Sequence, residues 1–383
     1  MTSWTSSSGR ALAFALLVAL DLACGHARRG GELDRPLRLL VLPPHDLSGS
    51  AAPLADIRIA TELRLARIGV EAVTGATVDE FLSVRRSRNT GGVDGGVAAA
   101  ARETLDADAV LVTTVSEWRE QGVPAVHLTM RMVTAEPDPR LLWIHAASAS
   151  GADHVGLLGL GAVTKPSELL PGVLDELRDS LRGAVNRTER RSVACKAESR
   201  FAPQTEFRFP GLDLGRTRRV AVVPFESRTG RRGAGEVVAL EVARGLASIP
   251  TVRLVEPGVL RSILLGGRFV MVEGVSLEIG DLLLENAEVD LVVSGVVDGF
   301  DEAAPALSFS VVVFDTHLRR VVWRSRSSHR GDDGVVFFDA GLVQGTGALA
   351  CRMVGPIVHS LTLPPPPPRK LSSLSANATL ASH

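Results

Sequence analysis

Apolar and polar positions run through the same succession twice along this chain. Residues 37–44 (LRLLVLPP) and residues 218–225 (RRVAVVPF) are short apolar runs ending at proline. That pattern suits a strand buried on both faces, whose last residue cannot donate to a ladder. After the first run, Ile59, Leu63 and Ala66 fall at helical spacing and predict a helix over residues 54–68, with a short strand at residues 70–73. Thr77 followed three residues later by Glu80 forms a capping box, predicting a helix from Val78 that buries Val78, Phe81 and Leu82. Residues 97–105 are alanine-rich and helical, and residues 107–115 (ADAVLVTTV) read as a buried strand. Residues 126–133 (VHLTMRMV) alternate, which predicts a half-exposed strand pairing with residues 141–144 across a loop holding Pro137 and Pro139. Residues 166–190 close the unit as an amphipathic helix with Leu170, Leu174, Leu177 and Leu181 on one face.

The order returns about 180 residues later, a spacing of duplicated domains and too long for a solenoid unit. Helices are expected over residues 233–249, 259–265, 277–285 and 340–361, and strands over residues 252–255, 289–297, 307–314 and 321–323. Asp290 then aligns with Asp108, and Trp323 with Trp143. Both aspartates precede buried strands, where a carboxylate accepts backbone N–H bonds, and read as turn formers. Both tryptophans read as core or hairpin-packing residues. The fold expected is α/β: two tandem repeats of a mixed β-sheet flanked by helices, in the order β-α-β-α-α-β-β-β-α. The first spans residues 37–190 and the second residues 218–363, joined by a linker at 191–217.

The segments VAVVPFESRTG, VRLVEPGVLRSIL, VDLVVSGVVDGF and VVVFDTHLRRVVW resemble the periplasmic domain shared by the curli-export lipoprotein CsgG, the amino-terminal domain of TolB and lipoprotein activators of peptidoglycan synthases. The resemblance covers most of residues 218–330 and, more faintly, residues 37–145. It implies a mixed sheet with helices packed on it and an envelope compartment, and it fixes no activity.

The amino terminus changes the picture of where such a chain works. Residues 1–10 are polar and end in Arg10, residues 11–20 are unbroken apolar, and Leu22-Ala23-Cys24-Gly25 follows. This is the layout of an export signal, and the apolar run is too short to span a bilayer. Leu22-Ala23-Cys24 resembles the lipobox of bacterial lipoproteins, although Asp21 stands where that pattern wants an apolar residue; ordinary cleavage, for example after Ala27, is the alternative. Acylation of Cys24 would hold the protein to a membrane, and Gly25 implies, by the same resemblance, the outer membrane facing the periplasm; a soluble periplasmic protein is the alternative. Residues 25–36 would be a tether. Cys195 and Cys351 remain either to pair as a disulfide or to stay as two separate buried thiols. Residues 364–368 are a polyproline rod before a Ser- and Ala-rich tail.

Composition narrows the function. A formal net charge of −1 argues against a nucleic-acid binder. The arginines around the linker, among them Arg187, Arg190, Arg191, Arg216, Arg218, Arg219, Arg228, Arg231 and Arg232, read as solvating charges, or else as a cationic belt. The glycine-rich loop at residues 91–96 and the Gly159-Leu160-Gly161 run match no phosphate-binding fingerprint, and the loop is expected to be a flexible surface segment. The nine histidines show no metal-ligand spacing, and no serine sits in a nucleophile-elbow context. No catalytic residue, cofactor or metal site is expected. The function expected is a lipid-anchored periplasmic scaffold that binds an envelope protein partner, such as a secretion assembly or a cell-wall synthase. A subunit of a CsgG-like secretion channel, which needs membrane-crossing hairpins of about ten residues per strand, and an envelope enzyme are the alternatives.

Overall fold

The computed structural model describes residues 35–154, 163–186, 192, 195–269, 275–335 and 341–363. The export signal, Cys24, most of the tether, the Gly159-Leu160-Gly161 run, Arg187, Arg190, Arg191 and the polyproline tail lie outside them.

The first repeat comprises β1 (Arg38–Val41), β2 (His45–Asp46), α1 (Leu54–Leu65), β3 (Glu71–Val73), α2 (Gly75–Val84), α3 (Gly95–Leu105), β4 (Ala109–Arg119), β5 (Ala125–Thr134), β6 (Leu141–Ser150) and α4 (Pro166–Val185). Its sheet has the order β3-β1-β4-β5-β6, with β2 beside β4. The β1 contacts are parallel and the β4-β5-β6 meander antiparallel. In the second repeat come β8 (Arg218–Val222), β9 (Glu226–Ser227), α5 (Ala234–Ala247), β10 (Val252–Leu254), α6 (Pro257–Gly266), α7 (Leu277–Ala287), β11 (Leu291–Asp301), β12 (Ala306–Asp315), β13 (Arg320–Arg330) and α8 (Thr346–Thr362). The matching sheet runs β10-β8-β11-β12-β13, and β9 joins β11 as β2 joins β4. Both sheets are mixed and share one strand order.

Local chemistry sets the shared start of each sheet. Asp108 Oδ2 accepts the backbone N–H of Arg38 at 3.0 Å, and Asp290 Oδ2 accepts that of Arg219 at 2.7 Å. Each carboxylate thus ties the entry of the central strand to the first strand. Trp143 and Trp323 are both buried, and Trp143 Nε1 donates to Ser180 Oγ on α4 at 3.1 Å.

The sheets are not separate beads. Helices α5 and α8 cover β8, β11, β12 and β13 with one side and touch β4 and β6 of the first sheet with the other. One face of the first sheet packs under α4, and the opposite face is shared between α2 and α3 from its own repeat and this helix layer from the second.

That layer corrects the expectation for β5. The strand is buried along all ten residues, including His127, Thr129 and Arg131. Alternation suggests one wet face, whereas His127 and Arg131 meet carboxylates of the other repeat. The hairpin strands are also longer than the apolar runs suggested, at ten to eleven residues each. β4 and β5 are covered on both faces, unlike a lipid-facing strand, which alternates.

Three smaller expectations shift. Helix α2 begins at Gly75 after Thr74, so Thr77 lies inside its first turn and makes no cap; Gly75 takes φ 62°, which lets the chain turn sharply into the helix. The linker adds β7 (Thr205–Arg208), which pairs antiparallel with β13 and makes the second sheet seven-stranded, and it buries Phe201 completely. Among the described linker arginines, three are drawn inward: Arg218 is buried 3.7 Å from Asp290, Arg219 pairs with Asp138 at 2.8 Å, and Arg231 enters the contact between repeats, while Arg216, Arg228 and Arg232 are exposed.

Candidate functional site: the seam between the repeats

Ionisable groups that a solvated surface would scatter are concentrated where the repeats meet. Strand β5 points His127 at α5, placing its Nε2 3.2 Å from Glu241 Oε1. Glu241 Oε2 accepts from Arg244 at 2.6 and 3.1 Å, one turn further along the same helix. Burial alone would raise the Glu241 carboxyl, but the Arg244 guanidinium and the His127 imidazole outweigh it and hold its pKa at about 2. Gly347, at the start of α8, faces the His127 ring so closely that a Cβ there would collide with it.

Four positions further along β5, Arg131 reaches Glu256 with nitrogens 3.2–3.3 Å from its carboxylate. Glu256 is the residue before Pro257 at the head of α6, and its side chain is turned inward instead of capping its own helix. Its Oε1 also accepts the N–H of Val93 at 3.0 Å, and Arg131 donates to the carbonyl of Gly91. The glycine-rich segment is therefore not a flexible surface loop. Val93 is fully buried, and a Cβ on Gly92 would lie 2.6 Å from the backbone nitrogen of Gly258. Glycine is needed here because two backbones approach each other.

A third tie is Arg231. It donates to the carbonyls of Leu47, Ser48 and Ser116, pairs with Glu302 at 2.8 Å and stacks 4.8 Å over Phe300. Beside it Glu117, buried to 3 % exposure, has its pKa raised: burial dominates, against a partial offset from Arg119 at 3.7 Å. A raised carboxyl favours folding while protonated, and that contribution is lost as pH rises through its folded pKa. Glu117→Gln is therefore expected to flatten the fall in melting temperature as pH rises from the ordinary glutamate value of 4.5 upward, and to leave the profile below 4.5 as in the wild type. Equal melting-temperature profiles for the two proteins would disprove this assignment of the Glu117 charge.

Cys195 and Cys351 are joined as a disulfide, with Cα atoms 5.4 Å apart, and Arg244 Nη2 donates to Cys195 Sγ at 2.6 Å. Both sulfurs and a Glu241 oxygen lie within 4.8 Å of one another. A metal ion could use that set only with the disulfide reduced and Arg244 displaced.

At one end the seam opens into a cleft of about 650 Å³. Leu260, Leu264, Leu265 and Phe269 supply its apolar wall, and Arg86, Arg88 and Arg261 are exposed at its rim against Asp94 and Glu236. Asp94 is already engaged, accepting the N–H of Val97 at 2.8 Å as the cap of α3. His45 lies under Gly91, its pKa lowered chiefly by burial, so it adds no cation at neutral pH. The cleft can hold apolar side chains with acidic groups alongside them. Of the seam residues, the sequence marks Cys195 and Cys351 as a possible pair, Arg231 within an arginine run and the glycine-rich loop at 91–96; His127, Arg131, Glu241, Arg244 and Glu256 are single charges amid apolar runs and carry no such signal.

No protein-family model matches the chain. No curated protein matches it. Among solved structures, partial resemblance is found to PelC from Paraburkholderia phytofirmans, a dodecamer, at 16% identity over 41% of this chain and 95% of that one, TM-score 0.30. Lipoprotein GNA1162 from Neisseria meningitidis resembles it at 22% identity over 38% of this chain and 100% of that one, TM-score 0.29. For the C-terminal domain of LpoB from Salmonella enterica the values are 15% identity, 35% and 93% coverage, and TM-score 0.26.

Proposed function

We propose that the protein is an exported, lipid-tethered scaffold of the bacterial envelope that works by binding a protein partner and carries out no chemical step. The cleft carries this reading: an apolar wall with an arginine rim suits an acidic, apolar-containing segment of another protein. The paired charges of the seam hold the repeats together and leave the cleft as the accessible recognition surface. A disulfide between Cys195 and Cys351 fits an oxidising compartment, as does the export-signal layout before Cys24. Acylation of Cys24 would place the protein on the outer membrane, facing the periplasm.

A photo-crosslinker at Leu265, installed in the full chain in its native cell, tests the binding role. The expected product joins this chain to one envelope protein and disappears when Arg86, Arg88 and Arg261 are all changed to glutamate. Capture that is unchanged by the triple substitution would overturn the assignment of the cleft. For the anchor, Cys24→Ser is expected to move the protein from the membrane fraction to the soluble periplasm; retention in the membrane would refute lipidation there.

A further inference from the structure

The seam joins unlike surfaces: the face of the first sheet that carries His127, Thr129 and Arg131 receives the α5–α8 layer of the second repeat. Because the repeats share one topology, each has both surfaces, and the chain uses only one of each. Among the described residues, nothing covers the second sheet's counterpart face or the outer side of the first repeat's α1–α4 layer.

Strand register fixes the correspondence. Val112 pairs with Arg131, which pairs with Ile144; Ser294 pairs with Val312, which pairs with Arg324. Thus Val312 and Arg324 occupy the places of Arg131 and Ile144, and Ser308 that of His127. On the helices, the buried rows Ile57, Thr61, Leu65 and Val238, Val242, Leu246 align. That alignment sets Ile59 at the place of Leu240 and Glu62 at that of Ala243.

In the seam, Leu240 and Ala243 meet Ile144 and Arg131 around one small cavity. At the leftover helix surface Ile59 is 55% exposed and its neighbour Leu63 is 61% exposed, unusual for large apolar residues on a charged helix. On the leftover sheet face Ser308, Ser310 and Val312 are half-buried and Arg324 is exposed.

We propose that a second copy of this chain docks head-to-tail, its α1–α4 layer seated on the open β11–β13 face as α5 and α8 sit on the first sheet. The pairing is compatible in charge and size. Arg324 meets Glu62, which already holds Arg58 at 3.2 Å and has a second carboxylate oxygen to offer, and the places of the buried His127 and Glu241 are taken by the uncharged Ser308 and Ala60. Such a heterologous contact leaves one free surface at each end of a pair, so copies add in series unless the series closes on itself. It does not depend on what occupies the cleft.

The test uses two variants of the mature chain, each with one surface blocked: Ile59→Glu with Leu63→Glu, and Arg324→Glu with Arg326→Glu. All four side chains are exposed, and melting curves check that both variants fold. By sedimentation over a wide concentration series, the wild type is expected to exceed the mass of one chain, and each variant alone to remain single. Mixed, the variants are expected to form a species of two chains and stop there, since one intact interface remains between them. A wild type that stays single, a variant that assembles like the wild type, or a mixture that stays single would each overturn the proposal. A face covered by the chain's own tail would give the first of these results.

Discussion

Replacing Glu241 with alanine is expected to destabilise the protein by about 3–5 kcal/mol, because it strands a buried guanidinium and an imidazole without their carboxylate. Arg244 is 4% exposed and His127 2%, so water cannot replace the lost partner. The loss falls on α5, the helix on which both sheets rest. Changing all three residues to apolar ones of similar volume should cost far less, since removing both signs of charge also removes their desolvation. Acid titration gives an independent readout. Unfolded, the Glu241 carboxyl has its ordinary pKa of 4.5; folded, it is held at about 2. The stabilisation is present above 4.5 and is lost as pH falls toward 2, a change of a few kcal/mol. Urea midpoints of the wild type should drop across that window more steeply than those of Glu241→Ala. Equal slopes would show that the seam does not hold this charge.

Much of the fold was legible because burial by each repeat's own helices leaves a local imprint. Apolar runs such as residues 107–115 could only be buried strands, and Asp108 and Asp290 stood where a strand entry needs an acceptor. The seam was harder to read because its partners are far apart in sequence. His127 and Glu241 are 114 positions apart, and Arg131 and Glu256 are 125 apart. In β5, period-two alternation of polar and apolar residues has the same appearance whether the polar face meets water or another protein layer. One cue was available. Helix α5 (AGEVVALEVARGLA) is apolar nearly all round, whereas α1 (LADIRIATELRL) carries charges on its outer side. A helix apolar on every side is buried on every side, so Glu241 and Arg244 had to be paired there. The glycine-rich loop was misread for a related reason: glycine marks either a mobile turn or a close approach of two backbones, and only the position of Gly258 decides between them.

Removing the disulfide, with Cys195→Ser and Cys351→Ser together, is expected to cost about 5 kcal/mol on chain-entropy grounds, and no less than about 2. The cross-link spans a sequence separation of 156 residues, from the linker before the second repeat to its last helix, and so restricts almost the whole second repeat in the unfolded state. It also fixes the linker against α8, where a Cβ on Gly355 would meet the Cys195 carbonyl at 3.0 Å. The effect is expected to reach the seam, because Arg244 donates to both Cys195 and Glu241. Loss of the disulfide should therefore reduce the penalty of Glu241→Ala: with the linker released, water can reach the stranded guanidinium, and the two changes become non-additive. The measurement is urea unfolding of the wild type, each altered protein and their combination, with and without reductant. Reductant should lower the wild-type midpoint and leave the double-serine protein unmoved. A wild-type midpoint indifferent to reductant would remove the cross-link from the account, and strict additivity with Glu241→Ala would separate it from the seam.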